Sequence, residues 1–424
     1  MTLNELTVDG IFCDGDWIEK KDQDPNGTVR LIQLADIGEG EFKDKSERFI
    51  TEKKALKLHC TFLEKGDILI ARLPEPLGRA CIFPLSGKYI TAVDIAIVRI
   101  KNSQISVPYV MHMINSSMFR KQIKKFESGT TRKRISRKNL EKITFNLPTF
   151  AEQQRVVTRI EELFSNLDKA VEMLQTTKTQ LSVYRQAVLK EAFEGKWHYL
   201  NRHTPDTDLK FNSIKPLELD KLEVLPHEWK YVYLSDLGEL SRGKSKHRPR
   251  NDERLFKNGK YPFFQTGDVK AAKENLVTCS KMYGEYGLKQ SKLWPSGTLC
   301  ITIAANIAET CFLGVDGCFP DSIVGFTAND SIVNKEYIRF FIEASKKRLW
   351  AFAPATAQKN INLTTLENLI VPYCTLDEQE YIIGEIKARL SVCDSIEQTV
   401  DTALQQAEAL RQSILKQAFE GRLV

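Results

Sequence analysis

Apolar residues recur at alternating intervals of four and three along two long stretches of the chain, residues 152–195 and 378–421. This spacing is typical of a coiled-coil seam, so each stretch is predicted to form one long helix. Each predicted helix ends at a glycine, Gly195 or Gly421, a residue that commonly closes helices. The seam residues are Ile160, Phe164, Leu167, Val171, Leu174, Leu181, Val188 and Ala192 in the first stretch, and Ile386, Leu390, Cys393, Val400, Leu404, Ala407, Ile414 and Ala418 in the second.

Charged residues interrupt both seams: Lys178 and Arg185 in the first, Glu397 and Arg411 in the second. A helix over the whole first stretch would be roughly 66 Å long at 1.5 Å per residue. Such a long amphipathic helix needs a partner to cover its seam, and the other copy is the nearest candidate. We therefore expect an antiparallel coiled coil that serves as a spacer. The alternative is two amphipathic helices packed on separate cores.

The two predicted helices are copies of one another. Ala192-Phe193-Glu194-Gly195 closes the first, and Ala418-Phe419-Glu420-Gly421 closes the second, 226 residues later (Gly421 against Gly195). Glu152-Gln153 and Glu378-Gln379, near their beginnings, keep the same offset. A period this long does not describe a solenoid. It indicates that one module, a domain followed by a helix, occurs twice in tandem.

The segments before the helices alternate short apolar runs with Gly, Pro, Asn and Asp, which is typical of mixed α/β domains. We call these segments the first head and the second head. The predicted fold is therefore mixed α/β, with two tandem domains, two long helices and an internal pseudo-two-fold repeat. Its parts are the first head at 1–148, a helix at 149–197, a polar linker at 198–225, the second head at 226–372 and a helix at 373–424.

Short segments also repeat between the heads. Leu31–Ile37 resembles Pro262–Val269, and Lys65–Ile70 resembles Ser296–Ile301. Each long helix follows a segment with strand character that ends in proline, Phe145–Pro148 in the first head and Leu369–Pro372 in the second. These similarities predict that the two heads share one fold.

Composition places the chain among globular proteins, with 42% hydrophobic and 27% charged residues in 424. No apolar run approaches the ~20 residues that a membrane span requires, and the N-terminus does not resemble a signal peptide. A cytoplasmic protein is therefore expected. The nine cysteines form no CxxC pair, which favours buried reduced thiols over a metal site.

The net charge is only +6, but basic residues are concentrated in each head. Residues 120–142 contain ten Lys or Arg against two acidic residues, and residues 242–250 contain five basic residues and no acidic ones. Hydroxyls, Arg and Lys on a turn can contact phosphates or base edges of DNA. The candidate DNA-binding residues are Thr130, Thr131, Arg132, Lys133, Arg134, Arg137 and Lys138 in the first head, and Arg242, Lys244, Lys246 and Arg248 in the second.

A further candidate loop in the second head aligns with the first one, because Thr130–Leu140 and Thr356–Leu366 keep the same 226-residue offset (Thr356 against Thr130). Its polar residues are Gln358, Lys359 and Asn360, and glutamine and asparagine suit adenine edges or the DNA backbone. Two homologous loops with different side chains would recognise different sequences. The alternative is that both loops are charged surface that keeps the protein soluble.

Gly238–Ser245 satisfies the phosphate-binding pattern GxxxxGK[ST], which would make the protein a P-loop ATPase. A working loop of this kind requires a helix directly after the lysine. Instead, Pro249 and several basic residues follow, so we expect a solvated basic loop. The chain carries no HExxH, no GxSxG, no Cys and His pair at recognisable spacing and no Asn-Pro-Pro-aromatic tetrad, so no catalytic site is predicted.

The repeated helical segments resemble the two conserved regions of type I restriction-modification specificity subunits. The resemblance rests on Glu152-Gln153, on Tyr184–Lys196 and on the second copy Leu410–Gly421. Leu225-Pro226-His227-Glu228-Trp229 is similar to the Leu-Pro-x-x-Trp opening of that family's target recognition domains. The first head lacks this opening, and Asp14-Gly15-Asp16-Trp17 is the candidate for its place.

The resemblance implies a non-catalytic subunit that binds double-stranded DNA at a bipartite target, one half per head, with a gap set by the helices. It implies two modification subunits as partners, which use S-adenosylmethionine, and restriction subunits, which use ATP and Mg. No cofactor is expected on this chain itself. A P-loop ATPase and a structural coiled-coil protein remain the alternatives at this point.

Overall fold

The computed structural model describes residues 1–74, 76–130, 132–197, 209–216, 222–272, 274–304, 306–352 and 360–423. The chain divides into two compact units. The first unit comprises Met1–Thr176 and Val400–Val424, and the second comprises Thr177–Thr399. Each unit therefore contains one head together with parts of both long helices.

The first head is built from short strands and helices. Its strands are β1 (Ile11–Asp14), β2 (Val29–Ile32), β3 (Phe49–Ile50), β4 (Ile68–Ala71), β5 (Ala80–Ile82), β6 (Tyr89–Thr91) and β7 (Ile95–Arg99). Its helices are α1 (Leu3–Leu6), α2 (Glu52–Lys57), α3 (Val107–Asn115), α4 (Ser117–Phe126) and α5 (Arg137–Leu140), with 3-10 turns at Lys20–Asp22 and Leu34–Asp36. The first long helix, α6, follows at Phe150–Phe193.

The second head repeats this arrangement. Its strands are β8 (Lys230–Tyr233), β9 (Gly238–Arg242), β10 (Tyr261–Pro262), β11 (Asn275–Leu276), β12 (Met282–Tyr283), β13 (Leu299–Thr302), β14 (Thr310–Leu313), β15 (Ile323–Ala328) and β16 (Ile370–Tyr373). Its helices are α7 (Thr266–Ala271), α8 (Glu285–Lys289), α9 (Lys335–Ala344), α10 (Lys346–Phe352) and α11 (Leu363–Glu367), with 3-10 turns at Leu234–Asp236 and Glu253–Leu255. The second long helix, α12, follows at Leu376–Phe419.

The main sheets of the two heads have equivalent strand orders. The first is β1-β7-β4-β5, and the second is β9-β15-β13-β14 with β11 added beyond β14. Small sheets accompany them, β3-β2-β6 in the first head and β10-β12 and β16-β8 in the second. The central strands β4, β7 and β13 are buried throughout, so apolar residues from both faces form the cores. The predicted mixed α/β fold with an internal repeat is confirmed.

The weak sequence repeats also correspond in structure. The Asp36 Oδ2 atom accepts the Gln33 N–H at 2.7 Å, and Asp268 Oδ2 accepts the Gln265 N–H at the same distance. Gly66 and Gly297, which precede β4 and β13, both have positive φ angles, 99° and 85°. The similar segments therefore occupy equivalent places in the two heads.

The two long helices contain 44 residues each, begin two residues before the predicted positions, and are followed closely by Gly195 and Gly421. Within the first unit, Ile160 of α6 packs with Ile414 and Ala418 of α12. Because an early residue of one helix meets late residues of the other, the helices run antiparallel there. The predicted antiparallel pairing is confirmed in this unit.

The charged residues that interrupt the seams pair with the opposite helix inside each unit. In the second unit, Arg185 Nη2 lies 2.8 Å from Asp394 Oδ1 and 3.0 Å from Glu397 Oε2. In the first unit, Arg411 pairs with Asp168, and its guanidinium lies 4.5 Å from the Phe164 ring centre. Polar pairs on a coiled-coil seam fix the register of the helices because any slip leaves charges without partners.

A glutamine ties the beginning of each long helix to its own head. Gln153 Oε1 accepts the N–H of Ser106, the N-cap of α3, at 2.8 Å, and its Nε2 donates to the Pro148 carbonyl at 2.9 Å. Gln379 makes the same contacts, with the N–H of Asn334, the N-cap of α9, at 2.8 Å and the Cys374 carbonyl at 2.9 Å. Both glutamines are almost fully buried.

A phenylalanine ties the end of each long helix to a head of the same unit. Phe419, at the end of α12, packs edge-on against Tyr109 of α3 with ring centres 5.2 Å apart. Phe193, at the end of α6, packs in the same way against Tyr337 of α9 at 5.0 Å. The repeated Ala-Phe-Glu-Gly segments are therefore docking residues as well as helix ends.

Two details differ from the sequence predictions. Phe145–Pro148 forms no regular strand; its neighbour Thr144 makes a single bridge to Thr2, whereas Ile370–Tyr373 pairs fully with β8. Of the predicted linker 198–225, only 209–216 and 222–225 lie among the described residues. Leu209 and Phe211 in it pack on the core of the second head, because they are apolar and a core surface is available.

We expect Gln379→Leu to lower the free energy of unfolding of the second unit by several kcal/mol. The substitution keeps the volume of the side chain but leaves the Asn334 N–H and two carbonyls, those of Ile332 and Cys374, buried without this partner. Each such group costs about 1–3 kcal/mol. Urea unfolding followed by circular dichroism measures the loss, and hydrogen exchange locates it.

The matched control is Glu380→Ala, the exposed neighbour of Gln379 on the same helix, which should change stability by no more than about 0.5 kcal/mol. Unchanged hydrogen exchange at the Asn334 amide in Gln379→Leu would show that the glutamine does not hold α9.

Candidate nucleic-acid interface

The first basic loop, Ser128–Lys138, is a closed hairpin followed by a short helix. Ser128 and Arg134 exchange backbone hydrogen bonds of 2.9 and 2.8 Å. Ile135, which follows, is buried, and its N–H donates to the Arg72 carbonyl at 3.1 Å. Ser136 caps α5 by accepting the Asn139 N–H. The loop is therefore anchored at its base while its tip is presented to solvent.

The three consecutive cations at the tip are all exposed, but they are not equivalent. Lys133 Nζ lies 2.5 Å from Glu127 Oε1. Within the described ranges, the side chains of Arg132 and Arg134 have no acidic partner. The two arginines are thus available to phosphates or base edges, whereas the lysine must exchange one carboxylate for another anion. Thr130 is exposed beside them, and Thr131 lies outside the described residues.

Arg137 and Lys138, at the start of α5, have different surroundings. The Arg137 Nη1 atom lies 2.5 Å from Glu141 Oε1, and it donates to the Phe12 carbonyl at 3.4 Å. Its guanidinium also lies 5.7 Å from the Phe12 ring centre. Lys138 is exposed. Arg137 therefore holds α5 against β1, and Lys138 is the better candidate for contact with DNA.

The large positive charge of residues 120–142 is not all on the surface. Arg120 is largely buried, pairs with Glu39 at 3.3 Å and donates to Asn115 Oδ1 at 3.2 Å. Burial lowers the pKa of this guanidinium. Lys121, Lys124 and Lys125 on the same helix are exposed. The free positive surface is therefore formed by these lysines and the hairpin tip.

The equivalent loop of the second head has the same framework. Ile361 is buried, and its N–H donates to the Ile303 carbonyl at 2.9 Å, as that of Ile135 does to Arg72. Asn362 caps α11 by accepting the Thr365 N–H at 2.8 Å. Asn360 forms a bridge with Ala304, whereas Gln358 and Lys359 lie outside the described residues.

The second basic loop, Arg242–Arg250, is largely bound to its own head. Arg242 Nε donates to the Asp321 carbonyl at 2.9 Å, and Arg250 Nη2 lies 2.9 Å from Asp321 Oδ1. Arg248 Nη1 donates to the carbonyls of Ser245 at 2.6 Å and His247 at 2.9 Å. Lys244 and Lys246 are exposed and have no ion-pair partner in the described part of the chain. These two lysines are the freest cations of this loop.

The segment that matches the phosphate-loop pattern does not form such a loop. Gly238–Arg242 is strand β9, paired with β15, and Ser245 is buried with its Oγ 3.4 Å from the Tyr283 hydroxyl. After Lys244, the next helical turn in the described residues is only the 3-10 turn Glu253–Leu255. In the described part of the chain, Lys244 is therefore not followed by a helix N-terminus that could hold a phosphate. This geometry does not favour the ATPase interpretation of the motif.

The glycines of that motif have a structural role that the first head repeats. An added Cβ at Gly243 would lie 2.3 Å from the Phe319 carbonyl oxygen. At Gly15, which follows β1 as Gly243 follows β9, it would lie 2.3 Å from the Ala92 carbonyl oxygen. Close backbone approach requires glycine at both positions. The spacing of glycines thus reflects the duplicated sheet and not nucleotide binding.

Asp14-Gly15-Asp16-Trp17 does not stand in the place of the Leu-Pro-x-x-Trp opening. Trp229 is 6% exposed and belongs to the core of the second head, just before β8. Trp17 is 72% exposed and follows β1, the counterpart of β9. The expectation was wrong because the sequence around a tryptophan does not show whether its side chain will be buried in the folded protein.

The described residues hold no group of His, Cys, Asp and Glu arranged for a metal ion. Over the same residues, no helix is long and apolar enough to cross a membrane.

The family described as "Type I restriction modification DNA specificity domain" matches residues 5–182 and 226–406. The chain is 25% identical to the type I restriction enzyme EcoBI specificity subunit of Escherichia coli, over 70% of this chain and 62% of the relative. It is 23% identical to the EcoKI specificity subunit of Escherichia coli K12, over 74% of this chain and 65% of the relative. The matches thus span just under two thirds of these relatives.

Two solved structures have similar folds. One, from a study of complex assembly and conformational transition of the type I R-M system, has a TM-score of 0.71 at 16% identity and covers 100% of this chain and 97% of its own. The HsdS subunit from Thermoanaerobacter tengcongensis has a TM-score of 0.57 at 17% identity, with 100% and 96% covered. At these identities the likeness shows the fold.

We expect Arg137→Ala to lower the free energy of unfolding of the first unit by about 0.5–1.5 kcal/mol, because a partly exposed ion pair and a hydrogen bond to the Phe12 carbonyl are lost. Lys138→Ala, the adjacent exposed cation, is the control and should be neutral. Urea unfolding of the two variants compares them directly. If the two variants have equal free energies of unfolding, Arg137 does not have this structural role.

Proposed function

This chain belongs to the type I restriction modification DNA specificity family, and from that premise we propose that it is the non-catalytic specificity subunit of such a complex. Each head, 1–148 and 226–372, recognises one half of a bipartite DNA target. The observation that carries the proposal is the duplicated loop framework, Ile135 to Leu140 and Ile361 to Leu366, which presents different polar residues on the same scaffold.

The proposed DNA contacts follow from the exposure of each cation and from its ion pairs within the protein. Among the candidate residues that the structure describes, Arg132, Arg134 and Lys138 in the first head and Lys244 and Lys246 in the second are exposed cations without an acidic partner. Cations of this kind neutralise phosphates or donate to guanine edges. The remaining proposed contacts are Thr130, Thr131, Lys133, Arg137, Arg242, Arg248, Gln358, Lys359 and Asn360.

The long helices, 149–197 and 373–424, act as a spacer that sets the gap between the two half-sites. The paired seam charges support this role, since they fix the register of the helices in each unit. The segment 198–225 connects the repeats.

The partners follow from the family. Two modification subunits bind the specificity subunit and use S-adenosylmethionine to methylate adenine, and restriction subunits use ATP and Mg to translocate and cleave DNA. Adenine must leave the duplex for methylation, so the catalytic pocket belongs to the modification subunit. The complex acts in the cytoplasm, where the DNA is. Relatives described as specificity subunits of restriction enzymes support this division of labour.

We expect Arg132→Ala and Arg134→Ala to relax specificity in one half-site, with a loss of about 1–3 kcal/mol of discrimination at a base position. Lys133→Ala should weaken binding to all duplexes alike and lower the salt slope by about one unit, because it acts on phosphate. Affinity is measured on matched and mismatched duplexes at several salt concentrations, with the modification subunit present.

The control for these variants is Lys57→Ala, an exposed lysine of the same head that lies outside the loop, at the end of α2. If the three loop variants and the control all bind every duplex as the parent does, the loop serves solubility only. If the parent itself selects no sequence, the chain is better explained as a structural coiled-coil protein.

Inserting seven residues after Thr176 in α6 and seven before Val400 in α12 should lengthen the gap between half-sites by about three base pairs. Seven residues preserve the seam phase and add ~10.5 Å, against ~3.4 Å per base pair of DNA. Methylome sequencing measures the gap. Insertion in one helix alone is the control and should disrupt pairing. Unchanged spacing in the double insertion would show that the helices do not set the gap.

A further inference from the structure

Trp17 is among the most exposed large apolar side chains of the described chain, and it stands beside the first basic loop. It lines a cleft of about 530 Å³ in the first head. Its other lining residues come from three segments: Asp16 and Ile18 beside the tryptophan, the first basic loop with Gly129, Thr130, Arg132 and Arg134, and Leu73 with residues 92–94. The Trp17 side chain hydrogen-bonds to Glu19, but its ring belongs to no core cluster of the described residues and stays open to solvent.

The charges in this cleft are arranged by depth. Arg132 and Arg134 are exposed, whereas Asp16 and Asp94 are partly buried. The Asp16 carboxylate already accepts the Thr61 N–H, at 3.1 and 3.2 Å from its two oxygens. Among the described residues, no side chain pairs with the Asp94 carboxylate. Asp94 is therefore a free acceptor between a tryptophan and two arginines.

The Asp94 carboxylate repels phosphate, so the DNA backbone is expected to contact the exposed Arg132 and Arg134 and not to enter the cleft. An acidic side chain does accept hydrogen bonds from the amino groups that cytosine and adenine present in the major groove. The tryptophan adds a flat apolar surface that suits a base or a thymine methyl group. The cleft is therefore suited to bind the edge of a base and not a phosphate.

In the second head, the part of the loop that corresponds to the tip of the first basic loop, 353–359, lies outside the described residues. Ser322 takes the place of Asp94, because the Ile303 N–H donates to the Ser322 carbonyl as the Arg72 N–H donates to that of Asp94. Ser245 follows Gly243 by two residues, as Trp17 follows Gly15, and it is buried against Tyr283. The exposed Trp17 and the free Asp94 carboxylate are thus features that the described part of the second head does not share, as expected where the two heads recognise different sequences.

We propose that the cleft between Trp17 and the first basic loop is a base-recognition site for the first half-site, in which Asp94 accepts a base amino group and Trp17 supplies the contact surface. The proposal rests on the proposed function, because it requires that the first head binds DNA. It adds a specificity determinant outside the basic loop.

The test uses the full chain with its modification subunit and a library of randomised duplexes. Asp94→Asn keeps the shape of the side chain but replaces one acceptor oxygen with a donor amide. One base position of a half-site should therefore change its preference from cytosine towards adenine by roughly tenfold, because asparagine binds the N6 and N7 atoms of adenine together. Trp17→Ala should lower affinity for the selected target roughly tenfold, and Trp17→Phe less. The altered position must lie in the half-site that Arg132→Ala changes.

The controls are Asp9→Asn and Val8→Ala, exposed residues of the same head outside the cleft, which remove the same charge and an exposed apolar side chain. Selection and affinity unchanged in Asp94→Asn and Trp17→Ala would overturn the proposal. So would a uniform rise in affinity for every duplex in Asp94→Asn, because the carboxylate would then only repel DNA. Failure of the parent to select any sequence would instead refute the proposed function.

Discussion

Each head is held between the beginning of one long helix and the end of the other, and the rest of the structure depends on this double attachment. A buried glutamine, Gln153 or Gln379, closes the N-terminus of α3 or α9. A phenylalanine, Phe419 or Phe193, packs on a tyrosine of the same head helix. Because the glutamine and the phenylalanine come from different helices, a head cannot be attached by its own repeat alone. Each head therefore needs a second long helix, and in this chain the duplication supplies it.

The buried polar groups in this attachment make it specific. A glutamine that satisfies two or three backbone groups has few alternative positions, since any displacement leaves those groups buried and unpaired. The charges on the seam also make the attachment specific, because Arg185 and Arg411 meet these acidic partners in the observed register of the helices. Packing of apolar seam residues alone would tolerate slips of a heptad. Polar contacts thus determine where the helices and the heads meet.

The heads combine a conserved framework with variable surfaces. Buried Ile and Leu residues and a capping Ser or Asn hold the base of the loop in both heads. In sequence, the two loops carry different polar residues: Arg132, Lys133 and Arg134 in the first head, and Gln358, Lys359 and Asn360 in the second. Side chains at an exposed tip contribute little to the core, so they can change without loss of the fold. This separation suits a protein that must recognise different DNA sequences with one architecture.

The sequence alone determined the long helices, their ends and the duplication, because seam periodicity and terminal glycines are local signals that appear twice. It also identified the hairpin cations, since a run of Arg and Lys beside glycine is visible without a structure. Only tertiary contacts decided which cations are free: Arg120 and Arg137 have partners distant in sequence, Glu39 and the Phe12 carbonyl. They also decided that Trp17 is exposed and that Gly238–Ser245 begins as a strand, because burial and strand pairing depend on residues far along the chain.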